Sequence, residues 1–134
     1  MNSEPMSLDE SFHNCFFYFM QAVDVLSVDA AEQCKTMDDF NVAGEIQQDV
    51  LNDGVALINW PEAYLSMSEK NLIAQLLNML AALPVDALLG QDNKKDMSHP
   101  AWADIRIAAT ALRAQLDNAV KRNRDFFDAV KRDL

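Results

Sequence analysis

The sequence from Ser98 to Leu134, SHPAWADIRIAATALRAQLDNAVKRNRDFFDAVKRDL, decides the fold. Its opening serine can cap a helix, and the proline that follows favours the first helical turn. Apolar residues then recur at steps of three and four, with no internal Gly or Pro after the start. This stripe comprises Trp102, Ile105, Ala109, Leu112, Leu116, Ala119, Val120, Phe127 and Val130. The pattern predicts one long amphipathic helix that buries its stripe against other helices.

Three further main helices are predicted from capping signatures and prolines. Ser7-Leu8-Asp9-Glu10, Thr36-Met37-Asp38-Asp39 and Ser66-Met67-Ser68-Glu69 each place a hydroxyl residue three positions before an acid. Pro61 and Pro84 end the second and third helices. The predicted helices therefore extend to about Cys34, from Met37 to about Asn59, and from Ser66 to about Leu83. Another helical turn is expected at 85–89, followed by a solvated loop at 91–97.

Length and composition predict one all-α domain. The 134 residues are half hydrophobic, with three Gly and four Pro, which favours a few long helices over many strands. We therefore expect an antiparallel bundle of four main helices with a long C-terminal helix, covering 1–134. Residues 1–6 are expected to form a flexible tail.

The expected location is the cytoplasm. No apolar run approaches the roughly 20 residues of a membrane span. The first residues lack the basic and apolar segments of a signal peptide. Cys15 and Cys34 fit this compartment as free thiols.

The charge is concentrated in one half of the chain. The formal net charge is −10, and residues 1–69 hold thirteen acids against one base, Lys35. The remaining residues hold ten bases and eight acids. This negative charge argues against nucleic acid and anionic lipid as ligands, and it favours a basic protein partner.

The first predicted helix has apolar residues on two sides. Its main stripe includes Phe12, Phe16 and Phe19, whereas Phe17, Tyr18, Val25 and Val28 point to the opposite side. The favoured interpretation is a central helix that contacts neighbours on both flanks. The alternative is an exposed apolar patch that binds a partner or forms a dimer.

The second predicted helix carries acids at four-residue steps: Glu45, Asp49 and Asp53. No Lys or Arg occurs between Lys35 and Lys70 to relieve their repulsion. Gly44 and Gly54 on the same helix are expected to mark close helix approach. Four bases of the last helix, Arg106, Arg113, Arg124 and Lys131, are expected to pair with acids such as Asp39 or Asp53 across the bundle.

Motifs for catalysis or metal binding are missing from the sequence. Glu10 and His13 have the Glu-x-x-His spacing of bundle metal sites, but a second such motif is absent and His13 lies off the apolar stripe. His13 is therefore expected to be a surface residue. Neither a nucleophile motif nor a phosphate loop nor a calcium loop occurs. We expect no enzymatic activity, no metal and no cofactor.

In size, acidity and helical content, the chain is similar to small bacterial immunity and inhibitor proteins and to cytoplasmic secretion chaperones. This is a likeness of class and not of sequence. The function expected is binding of a basic protein partner through the first two helices. The alternative is a homodimer or assembly subunit that buries the outer apolar face of the first helix. The predicted docking residues are Phe17, Tyr18, Asp24, Val25, Asp29, Glu32, Glu45, Asp49 and Asp53.

Overall fold

The fold is all-helical, as predicted from the sequence. A computed structural model describes residues 7–36 and 41–132. In these ranges the helices are α1 Leu8–Ser27, α2 Ala30–Thr36, α3 Val42–Ile58, α4 Met67–Ala81, α5 Asn93–Met97, α6 Pro100–Gln115 and α7 Asp117–Arg132. A single 3₁₀ turn occupies Val85–Ala87. The predicted tail at 1–6 lies outside the described residues.

The first predicted helix is in fact two helices, so its expected extent to Cys34 was wrong. α1 ends at Ser27, because Val28 adopts an extended conformation with ψ of 168°. Asp29 then caps α2, its Oδ1 accepting a hydrogen bond from the Glu32 N–H at 2.8 Å. Asp29, which the sequence pattern placed inside the first helix, therefore caps the start of a second helix.

The predicted long C-terminal helix is also divided, into α6 and α7. Leu116, fully buried, separates them with φ of −94° and ψ of 12°. Its N–H still bonds to the Leu112 carbonyl and its carbonyl accepts from the Val120 N–H, both at 2.9 Å. The interruption is thus confined to one residue. The cap of α6 is His99 and not Ser98, since the His99 Nδ1 accepts from the Ala101 N–H at 3.1 Å.

Of the other predicted helix starts, one is confirmed and one falls partly outside the described residues. The predicted capping box of α4 is confirmed: Ser66 and Glu69 bond reciprocally to each other's backbone N–H at 3.0 and 2.8 Å. α3 begins one residue after its cap, Asn41, and its predicted start at 37–40, with the acid Asp39, lies outside the described residues.

The predicted solvated loop at 91–97 was wrong. Residues Asn93–Met97 form α5, and Asp96 and Met97 are buried. The Asp96 carboxylate accepts from the Leu89 N–H at 3.3 Å and from the Gly90 N–H at 2.8 Å. Gly90 supplies the positive φ of 75° that this turn requires. A carboxylate that satisfies backbone donors explains why this segment packs inward.

α1 contacts helices on both flanks, as the favoured interpretation of its two apolar sides expected, although part of its second side stays exposed at Phe17 and Tyr18. It packs against α3 and α6, and α4 also packs against both of these helices. The core between them contains Phe16, Phe19, Ile73, Trp102 and Ile105. Gly54 allows close approach of α3 and α4, since a Cβ there would lie 2.6 Å from Leu77 Cδ2. The antiparallel order of a four-helix bundle stays a prediction.

α7 lies against this arrangement through α1 and α6. Most of its described side chains are exposed, with Ala119 and Asn123 as its buried residues. In the part of the chain that the structure describes, no helix combines the length and apolar character needed to cross a bilayer.

Candidate partner-binding surfaces

A groove of about 550 Å³ lies between α1 and α7, and we call it the α1–α7 groove. Its apolar side chains are Phe16, Phe17, Tyr18, Met20, Val120, Phe127 and Val130. Its charged side chains are Asp24, Arg113, Arg124, Asp128 and Lys131. Clefts of this size with mostly apolar walls are common ligand and partner sites.

Two aromatic rings of α1 stand at this groove in contact with solvent. Phe17 is 44 % exposed and Tyr18 is 59 % exposed. The Phe17 ring packs edge-on against Tyr18 at 5.6 Å and against Phe127 of α7 at 6.2 Å between centroids. Val25 was expected beside them, but it is half-buried against the core. The exposed apolar patch predicted on α1 therefore contains Phe17 and Tyr18 without Val25, and the fourth predicted member, Val28, is exposed just after the end of α1.

His13 anchors α7 to α1 and is not the surface residue that was expected. It is half-buried, and its ring stacks on Phe126 with 4.0 Å between centroids and 18° between planes. Its Nδ1 lies 2.5 Å from Asn123 Oδ1, and Asn123 Nδ2 donates to the His13 carbonyl at 3.2 Å. Over 7–36 and 41–132, no group of three or more potential metal ligands occurs.

The charges in the groove have both signs. Arg113 Nε lies 3.1 Å from Asp24 Oδ1, so Asp24, expected to dock a partner, already has a cation from the same chain. Arg124, Lys131 and Asp128 form no ion pair with any described residue. The groove therefore offers two cations and one carboxylate to an occupant.

The second surface is the α3 acidic row, which we define as Glu45, Asp49 and Asp53. None of the three forms an ion pair within the described ranges. Burial raises the pKa of Asp53 above its ordinary value of 3.8, and the charge of Asp49 raises it further. The expected pairing of an α6 or α7 arginine with Asp53 was therefore wrong.

The row borders α1 at Cys15. The thiol of Cys15 donates to the Asp53 carbonyl at 3.8 Å. Burial, and secondarily the charge of Asp53, raise the pKa of Cys15 to about 11. The thiol is therefore protonated at neutral pH and unreactive. Neither Cys15 nor Cys34 forms a disulfide bond, as predicted.

The structure does not gather the nine predicted docking residues into one surface. Phe17, Tyr18 and Asp24 line the groove, whereas Glu45, Asp49 and Asp53 form the row on α3. Asp29 is occupied as the cap of α2, and Glu32 is exposed on that helix. The candidate surfaces are thus the groove and the row.

Two arginines bond between helices to partners that the sequence did not predict, and only Arg106 was among the bases expected to do so. Arg106 donates through Nε and Nη2 to Oε1 of the buried Gln33 at 3.1 and 3.0 Å. Gln33 Nε2 in turn donates to the last carbonyls of α1. Arg122 Nη2 donates to both carboxylate oxygens of Glu69 at 2.9 Å, which joins α7 to the start of α4.

Glu69 is held in its charged form by these contacts. Burial alone would raise its pKa, but hydrogen bonds from the Ser66 backbone and from Arg122 outweigh burial and lower the pKa below 4.5. This carboxylate therefore serves the fold, in contrast with the α3 acidic row.

Comparison of the chain with models of protein families, with curated proteins and with solved structures finds no match in any of the three. Function must therefore be inferred from the two surfaces themselves.

Proposed function

We propose that this protein is a cytoplasmic binding module without catalytic activity that holds a basic protein partner, as an inhibitor of the immunity type or a chaperone would. The α3 acidic row is the docking surface, and α1 borders it. In this proposal α1, α3, α4 and α6 form an antiparallel four-helix bundle that keeps the row rigid. The observation that carries the proposal is that three carboxylates on one helix form no ion pair with any of the described residues.

Electrostatics supports a basic partner. Like charges at four-residue spacing repel each other in the free helix. Cations of a bound partner would relieve this repulsion and so favour binding at the row. The raised pKa of Asp53 has burial and Asp49 as its causes, and a cation from a partner would lower it again. The surplus of negative charge over residues 1–69 would also steer a basic protein toward the molecule and raise its association rate.

α1 adds apolar contact area near the row. Cys15 touches the Asp53 backbone, and Tyr18 follows Cys15 by one helical turn. Residues three apart lie on the same side of a helix, so Tyr18 shares the side of α1 that carries Cys15, although its exposed ring lines the α1–α7 groove. Tyrosine is enriched among the residues that contribute most to binding at interfaces.

The test is capture of a partner on the immobilised chain, identification by mass spectrometry and measurement of Kd with the purified partner. The row variant carries Glu45→Gln, Asp49→Asn and Asp53→Asn. We expect a basic protein that binds the parent chain, that loses about tenfold or more in affinity with the row variant, and that binds more weakly at about 300 mM salt than at about 50 mM salt.

A control variant separates the row from net charge. Asp86→Asn, Asp104→Asn and Asp125→Asn remove three exposed carboxylates outside the row and give the same net charge as the row variant. This control should bind the partner nearly as well as the parent chain does. Equal binding by the row variant and the control, or capture of no partner, would overturn the proposal.

A further inference from the structure

The α1–α7 groove is a surface of mixed charge on a molecule whose net charge is −10. We propose that a second copy of this chain occupies it, in a two-fold symmetric dimer in which each copy inserts Phe17 and Tyr18 toward the groove of the other. This dimer is centred on the α1–α7 groove and not on the α3 acidic row, so it is tested separately from the basic partner proposed above.

The shape of this face suits a two-fold interface. In a symmetric dimer the same patch meets itself, so each patch must present both a projection and a recess. Phe17 and Tyr18 project, being 44 % and 59 % exposed, and the groove beside them has a volume of about 550 Å³. The recess is lined by apolar residues of both helices, including Met20, Val120 and Val130. Burying the two rings there would remove apolar surface from water in both copies.

The charges of this face are also self-complementary. Asp24 is neutralised by Arg113, which leaves Asp128 as an acid and Arg124 and Lys131 as bases. A two-fold axis places the patch of one copy against that of the other, so Asp128 of each copy can pair with a cation of the other. Both signs on one patch are what a copy of the same chain requires, whereas an unrelated acidic or basic partner would leave one sign unpaired.

The rest of the molecule limits where two copies can meet. Two chains of charge −10 repel each other, and contact through the α3 acidic row would bring like charges together. α7 departs from this character, because Asp117–Arg132 contains five bases and three acids. The α7 side is therefore where two copies approach with the least repulsion.

Sedimentation velocity from about 1 to about 100 µM tests the dimer. We expect the parent chain to dimerise in this range and Phe17→Asp to weaken dimerisation about tenfold or more. Ile107→Asp is the matched control, since Ile107 is 70 % exposed on α6 and does not line the groove. This control should dimerise like the parent chain. A parent chain that stays monomeric, or an Ile107→Asp variant that loses dimerisation equally, would overturn the proposal.

A charge exchange tests the symmetry directly. One variant carries Asp128→Lys, and the other carries Arg124→Glu with Lys131→Glu. Alone, each faces like charges across the axis and should dimerise about tenfold more weakly or worse. Mixed in equal amounts, the two variants place opposite charges on both sides and should recover a heterodimer. Dimerisation of both variants alone, or failure of the mixture to recover it, contradicts the proposal even if either variant is less stable.

Salt distinguishes this dimer from the basic-partner complex. Salt screens the repulsion between two negative molecules, so dimerisation should strengthen between about 50 and about 300 mM salt. The complex with a basic partner should weaken over the same range. Each proposal can therefore fail without the other.

Discussion

Replacing Asp49 with Asn should stabilise the free protein, although it removes a solvent-exposed side chain from an ordinary helix. Asp49 is the middle member of the α3 acidic row and has an acid four residues away on each side, Glu45 and Asp53. Each such like-charge pair destabilises a helix by about 0.2 to 0.5 kcal/mol, so removing both should raise the free energy of unfolding by about 0.4 to 1 kcal/mol. Asp and Asn have similar helix propensities, which leaves electrostatics as the main difference.

Urea unfolding followed by circular dichroism measures this gain near pH 7 at low salt. Asp104→Asn is the matched control, because Asp104 is exposed on α6 and has no acid three or four residues away. Both variants change the net charge by the same amount. Asp49→Asn should raise the free energy of unfolding by about 0.4 kcal/mol or more beyond any change that Asp104→Asn causes.

The pH dependence of the free energy of unfolding tests whether repulsion between the carboxylates causes the gain. The pKa of Asp53 is raised in the folded state, so its contribution to stability is present below pH 3.8 and is lost as the pH rises through the raised value. Replacing Asp49 should lower the pKa of Asp53 and so reduce the stability that is lost as the pH rises. At about pH 3, below its ordinary pKa of 3.8, Asp53 is largely protonated, so its repulsion with Asp49 and the advantage of Asp49→Asn that depends on it should disappear. A gain that persists there, or a variant no more stable than the control at pH 7, refutes the repulsion argument.

The remaining predictions concern contacts that hold the helices together, and urea unfolding measures each. Gly54→Ala should destabilise by about 1 kcal/mol, because displacing Leu77 outweighs the gain in helix propensity, and the loss should shrink in a Leu77→Ala background. Asp96→Ala should cost about 2 to 4 kcal/mol, since two backbone N–H groups lose their acceptor, whereas Asp96→Asn should cost less. Arg122→Gln should cost up to about 1 kcal/mol at pH 7, and the difference from the parent should fade as the pH drops below 4.5 through the lowered pKa of Glu69.

The parts of the fold that sequence predicted correctly are encoded by neighbouring residues. The Ser66 capping box and the predicted close approach at Gly54 were both confirmed. The all-α class followed from apolar spacing and from the scarcity of Gly and Pro. These signals act within a few turns of chain, so a single sequence displays them.

The errors occurred where the same residue types fit two different local conformations. Leu116 interrupts the C-terminal helix with no Gly or Pro nearby, and Asp29 begins a helix although it also fits a helix interior. Asp96 lies in a polar stretch that resembles a loop, yet its carboxylate is buried against backbone donors. Residue types alone do not distinguish these outcomes.

The candidate surfaces were predictable only in part, because contacts between residues far apart in the sequence decide them. The sequence shows the acids of the α3 acidic row and the many apolar residues of α1. It does not show which polar side chains are paired with a partner elsewhere in the chain. Asp24 meets Arg113 and His13 meets Asn123 across most of the chain length. The groove itself depends on how α7 lies against α1, which no local pattern reveals.

The acids of the first half divide into those that serve the fold and those that do not. Asp29 caps a helix, Asp24 binds Arg113, and Glu69 completes a capping box while holding Arg122. The α3 acidic row makes no such ion pair in the described chain, and its members destabilise one another. Side chains that lower the stability of the free molecule are characteristic of binding surfaces, where a partner compensates them. If replacing members of the row left the free energy of unfolding unchanged, this reason for assigning the row to a partner would be lost.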